Sequence, residues 1–318
     1  MSRVQGELEP LAASPTAYAV AVALGLLWGS FANVCIYRWP PTEEFPAGRS
    51  VVRPGSHCFA CRAPIRWYDN VPLASWLWLR GRCRACKAPF SPRYLLVEAL
   101  TGLLFGLAWW TATSDVPAQL RGVIHAEPFD ARLIRFAIYA AFSLVMVVIT
   151  FIDLDHKLIL NKVTVPSIVA FYALGLLLPG GAWWAGLVGI AVGYGVPWAI
   201  GEAYYRLTGR EGLGLGDGML LAVVGALLGW RGVLAALFGG SMIGSLIGVA
   251  VLAIARRRGE VAQETTRAGD PEPREGDAGA APSLLRTELP FGPFLAMAAV
   301  FYLYAEPWIR LYFSFPGG

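Results

Sequence analysis

Between Leu11 and Tyr37 the chain carries no Asp, Glu, Lys or Arg. A helix of roughly 20 apolar residues crosses a bilayer core of about 30 Å, and this run is long enough to do so. Similar runs follow one another to the end of the chain. One lies at about Tyr94–Trp110, with Glu98 at its inner end, and another at about Leu133–Ile152, uncharged from Phe136. Residues 163–201 have no formal charge, which is too much for one helix, and Pro179-Gly180-Gly181 divides them into two spans by a turn. Two more spans follow Asp217. They divide near Gly229–Gly232 and end at Arg256-Arg257-Arg258. The last runs from about Leu289 to Ala305, with Trp308, Tyr312 and Phe313 placed for the interface. The expected fold is therefore an all-α polytopic membrane protein of about eight transmembrane helices.

What remains between the spans sets the domain plan. Residues 1–37 are a polar tail and the first helix. Residues 38–93 form a small extramembrane loop domain, and residues 94–318 form the transmembrane core. Within that core, residues 259–288 mix Glu, Arg, Pro, Gly and Ala and read as a flexible linker. The tail has Glu7 and Glu9 against Arg3, unlike the basic start of a cleavable signal peptide. With 56% hydrophobic and only 15% charged residues, a soluble class is excluded.

Charge placement orients the chain. If residues 38–93 are cytoplasmic, the loops at 153–162, 202–216 and 256–288 are cytoplasmic too. That side then carries twenty Lys and Arg, and the other side six. The positive-inside rule favours this arrangement. It places both termini away from the cytoplasm and puts Asp153 and Asp217 on one face of the membrane.

The loop domain contains Cys58-x-x-Cys61 and Cys83-x-x-Cys86, with 21 residues between the pairs. Two thiolate pairs at this spacing build tetrahedral S4 coordination, for which zinc is the usual metal. The gap is slightly longer than that of most such ribbons. Arg62, Arg82, Arg84 and Lys87 lie beside the thiols and offset their charge. No open ligand position is evident, so the site reads as structural. Cys35 lies inside the first span and reads as an ordinary buried residue.

Asp153 and Asp155 stand at the end of one apolar run, and Asp217 stands in the glycine-rich Gly212–Gly218 before another. A carboxylate near hydrocarbon is either solvated, paired or used. Two such acids can share a proton. The ionised one then activates water, and the protonated one polarises a peptide carbonyl. Asp155, two residues from Asp153, points to another helix face and reads as a solvated end-of-helix acid.

Several motifs together resemble the bacterial type IV prepilin peptidases, membrane aspartic proteases of the GxGD kind. They are Gly29-Ser30-Phe31-Ala32-Asn33-Val34 with Ile36-Tyr37-Arg38 and Pro40, and the two Cys pairs with Asp69-Asn70-Val71-Pro72 and Ser75-Trp76-Leu77 between them. Arg93-Tyr94, Glu98, the Asp153 stretch and Gly214-Leu215-Gly216-Asp217 complete the set. The resemblance implies Asp153 and Asp217 as the catalytic pair of a bacterial inner-membrane protease with its active site on the cytoplasmic side. It implies removal of short basic leaders from prepilins and pseudopilins, after a glycine, within the lipid bilayer's environment and with no nucleic-acid partner. Members with the four-cysteine loop also methylate the new N-terminus with S-adenosylmethionine. Asn33, Arg38 and Glu98 enter as methyl-donor candidates only through resemblance and position. Each has a structural alternative: Asn33 packs or caps, Arg38 anchors its span, and Glu98 pairs with a loop arginine.

Two positions depart from the family pattern, Leu160 where proline is usual and Met219 where lysine is usual. Two other functions fit a polytopic chain with acids. A transporter predicts mid-membrane polar groups and repeated halves. A non-enzymatic pilus or secretion assembly protein predicts that the acids are dispensable.

Overall fold

The computed structural model describes residues 14–114, 129–178, 182–209, 214–257 and 290–313. The polar tail, the loop with Pro117 and Pro128, the Pro179-Gly180-Gly181 turn, Gly212 and the linker at 259–288 lie outside the described residues. Among the described residues eight α-helices follow in order: α1 Pro15–Arg38, a short α2 Ala74–Trp78, α3 Arg93–Thr113, α4 Phe129–His156, α5 Asn161–Gly175, α6 Trp183–Thr208, α7 Leu215–Arg257 and α8 Gly292–Phe313. Five of them (α1, α3, α4, α6 and α7) are long and apolar enough to cross a membrane. No strand occurs among the described residues, only two isolated bridges in the loop.

The helix ends follow from local chemistry. Ser14 caps α1 by accepting the Ala17 N–H at 3.3 Å, with Pro15 in the first turn where its missing N–H costs nothing. Arg38 lies in the last turn, at the negative end of the helix. Gly209 closes α6 in the left-handed conformation, as a C-terminal glycine does.

α7 is two legs rather than one rod. At Gly229 the backbone adopts φ 65°, ψ −173°, a region essentially closed to residues with a side chain. Gly216 lies against Ile159, Ile159 lies against Gly292, and Gly244 lies against Phe294. Gly216 and Gly244 therefore sit at the same end of the bundle. In an unbroken helix they would be about 42 Å apart. The division that the sequence places near Gly229–Gly232 is thus a reversal at Gly229, and α7 supplies two of eight apolar legs.

α4 is the central helix. Ile138, Phe142, Met146, Ile149 and Ile152 are fully enclosed, in one apolar core with Leu220, Leu221, Val223 and Val224 of α7 and Leu295 and Leu303 of α8. One polar chain crosses this core: Ser143 and Tyr304 share a 2.8 Å hydrogen bond, and the Tyr304 hydroxyl donates to the Leu104 carbonyl at 3.2 Å. It ties α4, α8 and α3 together where an unpaired hydroxyl would be costly. Large apolar side chains point outward instead, among them Val169, Phe238, Leu246, Val249 and Phe301. Outward apolar surface of this kind suits lipid.

Candidate active site

Asp153 lies in the last turn of α4 and is buried, with 5% of its surface exposed. Asp217 lies in the first turn of α7 and is half-buried. The Asp217 N–H donates to the Gly214 carbonyl at 3.1 Å, so the glycine stretch forms the turn that starts the helix. An acid in a first turn meets the positive end of its helix dipole, whereas an acid in a last turn meets the negative end. Asp153 is compensated by another element. The N-terminus of α8 abuts it, with Gly292 placed against its carboxylate. Both acids stand at one end of the bundle, since Gly216, next to Asp217, and Gly292, against Asp153, each lie on Ile159.

Ile159 lies between the start of α7, beside Asp217, and the start of α8, beside Asp153. A methyl on Gly216 would stand 3.1 Å from Ile159 Cβ, and one on Gly292 would stand 3.3 Å from Ile159 Cδ1. Neither Ile159 nor Gly292 is singled out in the sequence. Both join the site through the tertiary fold, and the only sequence signal is the Pro290-Phe291-Gly292-Pro293 run before an apolar stretch.

Asp155 has its own partner. Arg93, at the start of α3, forms an ion pair with it and donates to the Phe151 carbonyl at 2.8 Å. The guanidinium also stacks 4.9 Å from the Phe151 ring centre. Asp155 is therefore a paired helix-end acid, and Arg93 fastens the loop domain to the turn that carries Asp153. A second fastener is Lys162, which donates to the Trp39 carbonyl and, at 3.1 Å, to that of Ala47. Leu160 has φ −83°, close to the proline range, and its carbonyl accepts the N–H groups of Val163 and Thr164. The proline departure thus leaves the start of α5 intact. Met219 is half-buried on α7.

The four cysteines converge. One sulfur from each lies within 4.8 Å of all the others, with Cys58–Cys86 at 3.7 Å and Cys61–Cys83 at 4.0 Å. Tetrahedral zinc with Zn–S bonds of about 2.3 Å needs sulfur–sulfur edges of roughly 3.8 Å, so the donor set fits the ion. Backbone N–H groups of Cys61 and Ala60 pull the Cys58 thiol down to about 6, while desolvation and the neighbouring thiols push Cys86 up to about 11, so without a cation the cluster holds its negative charge on Cys58 first. The two halves are alike. Cys58-Phe-Ala-Cys-Arg-Ala-Pro64 and Cys83-Arg-Ala-Cys-Lys-Ala-Pro89 each make one bridge, His57–Pro64 and Arg82–Pro89. Each also has a left-handed basic residue after its second cysteine, Arg62 and Lys87. The near-repeat is legible in the sequence, and spacing alone passes over it. Cys35 is buried in α1, as expected.

Asn33, Arg38 and Glu98 line one cavity of about 480 Å³ between α1, α3 and the loop. All three are buried at 8% exposure and engaged. Asn33 donates to the Tyr94 carbonyl at 3.1 Å, and Arg38 to the Ser50 carbonyl at 3.0 Å. Glu98 accepts the Leu73 N–H at 2.9 Å. Glu98 thus meets a loop backbone rather than a loop arginine. Asp69 instead holds an arginine: Arg84 grips its carboxylate through Nε at 2.9 Å and Nη2 at 2.6 Å. The indole Nε1 of Trp76, another lining residue, is buried with no hydrogen-bond partner.

Comparison with known proteins identifies the family of the chain. Residues 23–112 match the bacterial peptidase A24 N-terminal domain, and residues 140–249 match the type IV leader peptidase family. A prepilin leader peptidase/N-methyltransferase of Myxococcus xanthus is 34% identical, over 90% of this chain and 89% of its own length. Proteins of the same name from Neisseria gonorrhoeae and Pseudomonas aeruginosa are 36% and 30% identical, over 77% and 98% of this chain and 85% and 98% of their own lengths. No solved structure matches. With both halves matched and relatives aligned along nearly its whole length, the chain belongs to the type IV leader peptidase family.

Proposed function

We propose that this protein is a prepilin leader peptidase in which Asp153 and Asp217 activate water for cleavage of the peptide bond. The observation that carries the reading is the meeting of two acids from different helices at the bundle end that also carries the loop domain. One carboxylate, ionised, takes a proton from the attacking water. The other, protonated, donates to the scissile carbonyl oxygen. Gly214, exposed beside Asp217, leaves the backbone there open to an extended substrate segment. The substrates are prepilins and pseudopilins with short basic leaders, cut after glycine.

The loop domain at 38–93 holds zinc through Cys58, Cys61, Cys83 and Cys86 as a structural ion, beside a transmembrane protease core at 94–318. The cavity lined by Asn33, Arg38 and Glu98 holds S-adenosylmethionine, which supplies a methyl group to the new N-terminus. Its volume suits a small molecule, for which pockets of roughly 300–1,000 Å³ are usual. The protein lies in the bacterial cytoplasmic membrane with both sites on the cytoplasmic side, as the excess of Lys and Arg there supports.

Incubating purified protein in detergent with a prepilin-like substrate and S-adenosylmethionine, followed by mass spectrometry, tests both activities. The expected product lacks the leader and gains one methyl group. A cleaved but unmethylated product would overturn the methyl-donor assignment alone. An uncleaved substrate would overturn the peptidase.

A further inference from the structure

The first turn of α8 is built in an unusual way. The Phe291 carbonyl accepts the N–H groups of Phe294 and Leu295, and Pro293 has no N–H to give. Gly292 itself stands against the Asp153 carboxylate at the end of α4. A methyl on Gly292 would overlap Asp153 Oδ2 and stand 3.2 Å from Asp153 Cγ. Such an overlap requires something to move. Asp153 is enclosed, and the next neighbour on that side is Ile159. Ile159 in turn lies against Gly216, the residue before Asp217. A displacement at Gly292 therefore reaches both acids.

We propose that Gly292 is a positioning residue for peptide cleavage. Its bare backbone fixes the Asp153 carboxylate, and its lack of a side chain sets the spacing between Asp153 and Asp217 through Ile159. The proposal rests on the Asp153/Asp217 reading. It assigns a function to the start of α8, which neither of the matched family segments includes.

Gly292→Ala is the direct test, read as kcat and KM for cleavage across a pH series. Methylation of an already cleaved pilin peptide is the internal control. Misplacing a reacting group by an ångström costs roughly a hundredfold, so kcat falls by about that factor with KM held within about twofold. The pH profile of kcat shifts because the two acids titrate as a pair. Methylation stays at the wild-type rate.

Gly239→Ala crowds the same α7–α8 seam away from the acids, with its methyl 3.0 Å from Ala298 Cβ. It is expected to retain the wild-type pH profile. If Gly292→Ala does not insert as folded protein, Ile159→Ala removes the contact without adding an atom and is expected to shift the same profile. Wild-type kcat and pH profile in Gly292→Ala would overturn the proposal. So would an equal loss with an unmoved profile in Gly239→Ala, or an unmoved profile in Ile159→Ala where Gly292→Ala does not fold. Cleavage by Asp153→Asn would instead remove the dyad reading beneath it, so the two failures are separable.

Discussion

At the scale of single residues, acids that look alike in the sequence have different work. Asp153 and Asp155 are two positions apart, yet one is buried against the α8 N-terminus and the other is paired with Arg93. Asp155→Asn is therefore expected to keep most of the cleavage activity in a leader-removal assay, while Asp153→Asn keeps none. Arg93→Ala removes the pair and the Phe151 carbonyl bond together, loosening the turn that carries Asp153. Cleavage is expected to fall by roughly tenfold to a hundredfold, and an unchanged rate would show that the fastening is not needed. Asp69 offers a pH test. The Arg84 guanidinium holds its carboxyl below the ordinary Asp range. A group whose folded pKa is depressed contributes stability that is full above its unfolded value and lost as pH falls through the folded one. Asp69→Asn should thus lower the loop's thermal midpoint by the same amount at pH 5 and pH 8, and a difference that grows between them would contradict the pairing.

Among the elements, the α6–α7 contact depends most on small residues. A methyl on Gly189 would overlap the Gly225 carbonyl, and one on Gly225 would overlap that of Gly189. Glycine at both positions lets the two backbones touch, as small residues do between membrane helices. Gly225→Ala should destabilise the bundle by about 1–3 kcal/mol, an ordinary overpacking cost, seen as a lower midpoint in detergent unfolding. The helices themselves were legible from uncharged apolar runs, because a bilayer leaves the backbone few alternatives. Their ends were legible within a few residues: the run expected at Leu133–Ile152 is the helix Phe129–His156. What the one-dimensional pattern could not carry was contact between distant elements. Nothing in the order of residues says that Gly292 meets Asp153, that Ile159 lies between Gly216 and Gly292, or that Arg93 rather than water meets Asp155. The first two pairings arise when α7 reverses at Gly229 and brings α8 back to the end of α4.

For the molecule as a whole, the fold brings two units to one end of a helix bundle. The four-cysteine loop is joined to α1 and α3 by the chain, and to α4 and α5 by Arg93 and Lys162. Its order depends on the metal under this account, since few of its side chains are buried apart from Cys58 and Cys83. Stripping zinc with a chelator, or Cys58→Ser, should expose residues 38–93 to protease and abolish methylation first. Elemental analysis of intact protein that found no zinc would contradict the S4 site. The central claim is that Asp153 and Asp217 act as one catalytic unit, and leader cleavage by the wild type, Asp153→Asn and Asp217→Asn, each purified and shown to be folded, tests it most directly. The account predicts cleavage by the wild type and none by either variant. Cleavage by a folded variant of either kind would contradict it.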